Sequence, residues 1–135
     1  MPRRLLVLGL LVLAGCAAER RERELLDETL ERYAHAIRWH GFERAAEFLD
    51  EEGRRRLALR PLVLERLRQY QVAGYRPRSA ALREGRCALQ TVEIELVNRH
   101  TLAAQTVLDR QEWCLDAAGS AWRLRSALPE PQSGR

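Results

Sequence analysis

Over residues 87–97 the side chains alternate in kind, with Val92, Ile94 and Leu96 falling one way and Glu93 and Glu95 the other. A period of two is the pattern of a β-strand with one buried and one wet face. Such a strand needs sheet neighbours and a layer over its apolar side. Residues 105–115 are the expected antiparallel partner across a turn at 98–102, and 121–128 a further strand after a turn at Gly119. Upstream, 70–75 reads as the first strand, with Gly74 as a bulge, Pro77 at its end and 79–84 as the connection.

The alternation can be tested against register. If Cys87 stands opposite Cys114, then Ile94 meets Val107, Val92 meets Asp109, Gln90 meets Gln111 and Ala88 meets Trp113, and directly opposed residues share a face. Placing Trp113 opposite Trp122 in the last hairpin sets Gln111 against Leu124 and Glu112 against Arg123. One face then carries Val92, Ile94, Leu96, Val107, Trp113, Trp122, Leu124 and Leu128. The other carries Glu93, Glu95, Arg110, Glu112, Arg123, Arg125 and both cysteines. A slip of one residue would undo the sorting.

The layer over the apolar face is expected from the helices upstream. Leu26, Leu30, Tyr33, Ile37 and His40 recur at steps of four and three, one stripe of a helix that starts near Glu19 and ends at Gly41. Charge pairs Glu19/Arg23, Arg20/Glu24 and Glu28/Arg32 sit at i, i+4 on its outer side. A shorter helix carries Phe42, Ala45, Ala46 and Leu49 and closes at Gly53, leaving the charges of 50–56 as a solvated corner. Pro61 opens a third helix with Val63, Leu64 and Leu67, ending near Arg68. Helices followed by antiparallel strands make an α+β architecture, N-terminal helices packed on a curved antiparallel sheet. The chain length suits a single such domain over 19–128, with 129–135 a disordered tail by composition.

The segment before this domain has its own grammar. Met1-Pro2-Arg3-Arg4 is positive, Leu5 to Leu13 is apolar apart from Gly9, and Leu13-Ala14-Gly15-Cys16 follows. The apolar run is about ten residues, short of the ~20 that span a bilayer as a helix. This order resembles the leader and lipobox of bacterial lipoproteins. The resemblance implies that 1–15 is a signal peptide, that Cys16 becomes a lipidated first residue with 17–18 beside it, and that acyl chains at about 0.8 kcal/mol per buried methylene hold the protein to a membrane. Ala17-Ala18, where an Asp would retain such a protein in the inner membrane, implies the outer membrane.

With Cys16 given to lipid, Cys87 and Cys114 remain as a pair in an oxidising compartment, where a disulfide is the default and two buried thiols the alternative. Removing Arg3 and Arg4 from 23 basic residues leaves 21 against 19 acidic, a net of +2. That balance argues against nucleic acid as a partner. Every basic side chain is Arg, which fits either bidentate phosphate binding or genomic codon bias. No phosphate loop, Cys-x-x-Cys, His-Glu-x-x-His or Gly-x-Ser-x-Gly occurs, so neither cofactor nor metal is expected.

The order helix, short helix, helix, then strands closing through Gly119 to Trp122, looks like the nuclear transport factor 2-like or cystatin-like superfamily over roughly 25–128. That resemblance implies a bent sheet wrapping the first helix into a cone, open as a ligand pocket in some members and filled in others. Expected pocket-lining residues are Tyr33, Ile37, His40, Gln90, Asp109, Gln111, Trp113 and Trp122. Similar folds host isomerases and dehydratases with an acidic base and a Tyr or Asp oxyanion donor, so Asp109 as base and Tyr33 as donor are the catalytic candidates. His35 and His100 are expected to face solvent, and His40 to sit toward the helix dipole. The leading expectation is an outer-membrane-anchored periplasmic lipoprotein with a non-enzymatic domain that binds an envelope protein or a small apolar ligand. The alternatives are an enzyme of isomerase or dehydratase type using Asp109, and a structural lipoprotein without a pocket.

Overall fold

A computed structural model of the chain describes residues 3–83 and 86–132, with side chains from residue 14 onward. Four antiparallel strands form one open sheet in chain order, β1 (Tyr70–Arg83), β2 (Cys87–Asn98), β3 (Ala104–Leu115) and β4 (Trp122–Leu124). A long helix, α1 (Arg3–Trp39), packs on one face, followed by α2 (Phe42–Ala46), α3 (Glu51–Ala58) and α4 (Pro61–Leu67). The architecture is α+β, as the sequence pattern required.

The central hairpin follows the alternation. Ala88, Gln90, Val92, Ile94 and Leu96 are all buried on β2. Cys87 faces Cys114, Gln90 faces Gln111 and Val92 faces Asp109, the expected register. The last hairpin is displaced by two residues from the expected Trp113–Trp122 pairing: Trp113 opposes Leu124, and Leu115 opposes Trp122. The turn sets this. Asp116 N–H donates to the Ala121 carbonyl at 2.8 Å, and its carboxylate accepts from Ser120 N–H at 2.7 Å and Ser120 Oγ at 2.9 Å, with Gly119 at φ 66°. An even displacement keeps every side chain on its face, so Trp113, Trp122, Leu124 and Leu128 are buried together.

β4 is shorter than the expected 121–128: Arg125 N–H still donates to the Glu112 carbonyl at 2.8 Å, but the Glu112 N–H donates to Ser126 Oγ at 3.1 Å instead of to a main-chain carbonyl, which ends the ladder. On its other side, Leu124 exchanges hydrogen bonds with the link between α2 and α3: Leu124 N–H to Phe48 O at 2.8 Å and Asp50 N–H to Leu124 O at 2.9 Å. β1 is longer than expected. It runs through Pro77 to Arg83, with register shifts at Val72/Gly74 and Pro77/Ser79. Proline is tolerated there because β1 is an edge strand. Residues 79–83 of the expected connection are thus strand, and Glu84 lies outside the described residues.

α1 buries Leu26, Tyr33 and Ile37 against the sheet and stops where Gly41 adopts φ 86°, a conformation favouring glycine. It begins well before Glu19, and no helix among the described residues is long and apolar enough to cross a membrane. The expected n-region residues Met1 and Pro2 lie outside the described residues. Gly53 does not close a helix; it lies inside α3. Asp50 caps that helix, its Oδ1 accepting from Gly53 N–H at 2.7 Å, so the charged stretch 50–56 is helical. Glu51–Arg55 and Glu52–Arg56 lie at 3.9 and 3.8 Å on its exposed side.

The expected tail is docked over part of its length. Pro129 and Pro131 are buried, the Pro131 carbonyl accepts from Arg66 at 3.3 Å, and Gln132 N–H donates to Gln105 Oε1 at 2.7 Å. Residues 133–135 lie outside the described residues.

Candidate functional site

β3 places Asp109, Gln111 and Trp113, all buried, on the helix-covered face. Gln111 is the hub. Its Nε2 donates to Asp109 Oδ2 at 2.8 Å and to Tyr75 Oη at 3.1 Å, while its Oε1 accepts from Trp113 Nε1 at 3.1 Å. Around this hub lie aromatic rings in edge-to-face contact: Tyr33–Trp113 at 5.1 Å between centroids, Tyr33–Phe48 at 5.5 Å and Phe48–Trp113 at 6.2 Å. This geometry suits the ring quadrupoles. Two buried polar atoms, Tyr33 Oη and Gln90 Oε1, have no hydrogen-bond partner among the described residues.

Burial sets the electrostatics. Loss of hydration disfavours the charged form of a carboxyl, and Asp109 is pushed up to about 6 from an ordinary 3.8, against the opposing hydrogen bond from Gln111. Burial also raises the Tyr75 hydroxyl to about 12. Tyr33 moves well above its ordinary value, first by burial and then by the nearby Asp109 charge. A carboxyl tuned toward neutrality beside a tyrosine is the raw material of acid–base catalysis. Here, however, Tyr33 is wholly buried and Asp109 is 8% exposed, and neither lines any of five surface grooves among the described residues.

One of those grooves, about 320 Å³, reaches the edge of the cluster. Leu26 and Leu30 of α1 form one wall, Ala80 to Leu82 of β1 and Ala88 of β2 the other, and Trp113 and Gln90 lie at its inner end, with Arg23 and Asp27 beside the mouth. The groove is therefore apolar along its walls, and Gln90, whose buried Oε1 has no hydrogen-bond partner among the described residues, lines its inner end. α1 is held over it by Trp122 Nε1, which donates to the Glu22 carbonyl at 3.0 Å, and by the Arg86–Glu22 ion pair at 2.6 Å.

Of the expected pocket residues, Tyr33, Ile37, Gln90, Asp109, Gln111, Trp113 and Trp122 share the helix-covered face and are buried. His40 does not join them. α1 ends at Trp39, and His40 turns outward, exposed, its ring 5.2 Å from that of His35. His100 is exposed in the β2–β3 turn as expected. Tyr75 and Phe48 complete the cluster and were not expected in it; the signal for Tyr75 was its place one residue after the Gly74 bulge. On the opposite face, Cys87 and Cys114 have Cα atoms 4.1 Å apart and sulfurs at bonding distance. With Glu112 they form the one grouping of metal-ligand atoms among the described residues, but both sulfurs are occupied by each other. Comparison with protein-family models, with curated proteins and with solved structures finds no match to this chain, so its site is read from its own geometry.

Proposed function

We propose that the chain is a lipoprotein, processed and acylated at Cys16 and held on the periplasmic face of the outer membrane, whose domain binds a ligand or partner and does not catalyse. The domain is a cone of the nuclear transport factor 2-like kind, filled at its centre. The observation that carries the non-catalytic reading is the burial of Tyr33 and Asp109, neither of which lines a groove found among the described residues, while the groove beside them is lined at its inner end by Gln90 and Trp113. A ligand suited to that groove has an apolar body and one N–H or O–H donor at its inner end. The exposed Leu59 and Leu62 at the α3–α4 corner offer apolar surface to an envelope protein. The Cys87–Cys114 geometry suits the oxidising compartment that the anchor implies.

The test is native mass spectrometry of full-length protein extracted from its own membranes in mild detergent. The expected result is a bound mass that Gln90→Leu loses, with the fold intact by circular dichroism. The same bound mass in the variant, or none in either, contradicts the reading. A second reading, an isomerase- or dehydratase-type enzyme, is favoured by one observation, the carboxyl of Asp109 pushed up to about 6. It requires the buried Asp109 carboxyl to become accessible, and it would be supported by a turnover that Asp109→Asn abolishes without loss of bound ligand.

A further inference from the structure

Where α1 ends, a second groove of about 410 Å³ lies between that helix, α2 and β4, with Phe48 in its lining. Its rim holds five basic side chains drawn from separate elements: Arg32 and His35 of α1, His40 at its end, Arg44 of α2 and Arg123 of β4. Chain folding, rather than sequence adjacency, brings them together. The single acidic side chain lining it is Glu47, which pairs with Arg44 at 3.0 Å on an exposed edge, where such a pair contributes little. Among the described residues Arg32 is not held by a carboxylate: its guanidinium lies over the Phe48 ring, 5.7 Å from the centroid. Arg123 donates to the Glu47 backbone carbonyl at 3.5 Å. Stacking and a main-chain acceptor orient the two guanidiniums; the Arg32 charge meets no carboxylate among the described residues, while the Arg123 charge also acts on the Asp116 carboxylate. The two imidazoles stand 5.2 Å apart and supply further N–H donors.

We infer that this groove is an anion site for a phosphate-class group, with Arg32 and Arg123 as its principal donors and His35 and His40 closing the rim. Guanidinium forks match phosphate oxygens bidentately, and an aromatic ring under Arg32 keeps its fork oriented without neutralising it. Glu47 opposes the anion and tunes its affinity through Arg44. The ligand is a free phosphate compound or a phospholipid headgroup, and the two sources share this chemistry.

The experiment is isothermal titration of the full-length chain in neutral detergent with inorganic phosphate and, separately, with dihexanoyl phosphatidylglycerol. Saturable binding of either is expected, and the one that binds more tightly names the source. Arg32→Gln should weaken it about tenfold or more, since hydrogen bonds to charged groups are worth roughly 1.5–3 kcal/mol. Glu47→Gln should strengthen it, a gain that a merely structural role for the groove would not produce. Arg110→Gln, which removes the same charge from an exposed position on β3, should leave it unchanged. No saturable binding by either probe, or equal weakening in Arg32→Gln and Arg110→Gln, overturns the site.

Discussion

Gln111 Nε2 donates to Asp109 Oδ2 at 2.8 Å, so the two residues, next neighbours on the same face of β3, form a buried side-chain pair. The hydrogen bond lowers the pKa of the carboxyl, burial raises it, and burial wins. Asp109 is thus a group that the fold prefers to hold protonated, and stability should record this.

The sign follows from proton linkage. A carboxyl whose folded value lies above its unfolded one binds protons more tightly when folded, so stability is greatest below the unfolded value and falls as pH rises through the folded one. For Asp109 the window runs from 3.8 to about 6, and the loss across it is about 3 kcal/mol at 1.36 kcal/mol per unit. Asp109→Asn should be more stable than the parent by up to that amount at pH 8 and nearly equal to it at pH 4, measured by urea denaturation. A variant less stable at pH 8 would mean that the charge is satisfied in the fold.

Tyr33 presents the complementary case. Its hydroxyl is buried and has no hydrogen-bond partner among the described residues, while its ring packs against Phe48, Tyr75 and Trp113. Tyr33→Phe keeps the ring and removes the orphan group, so stability should change by no more than about 1 kcal/mol and in the favourable direction. A loss larger than that, in the same urea assay, would show that the hydroxyl has a partner essential to the fold.

Cys87 and Cys114 close a separation of 27 residues across β2 and β3. Constraint of the unfolded chain by a loop of that size is worth about 2–4 kcal/mol. The double replacement Cys87→Ser/Cys114→Ser should lower the unfolding free energy by that amount and abolish its sensitivity to reductant. An unchanged midpoint when the parent is reduced would contradict the bond.

Much of this fold is legible in the chain because β2 has one wet face. Its alternation sorts the sheet, and the cysteine pairing fixes β2 against β3 to the residue. Trp113 and Trp122 look alike as partners, whereas the Asp116–Ala121 closure decides the β3–β4 register; the faces survive because the displacement is even. Gly53 looks like a stop because glycine often follows a helix. The stronger signal was Asp50-Glu51-Glu52, a capping side chain followed by acids in a first turn. Pro77 suggested the end of a strand, a rule that holds for central strands and not for an edge. The candidate site was half visible. Inward-facing Gln90, Asp109 and Gln111 could be read from period two, but Tyr75 lies beyond a bulge that breaks the period. The basic groove joins α1, α2 and β4, which no local pattern connects.

The account rests on the chain being carried to a membrane through Cys16. Intact-mass analysis of the protein recovered from its own cells addresses this most directly. The account predicts a chain that starts at Cys16 and carries the mass of a diacylglyceryl group and an N-acyl chain. A mass equal to the unmodified 135-residue chain, beginning at Met1, would contradict it.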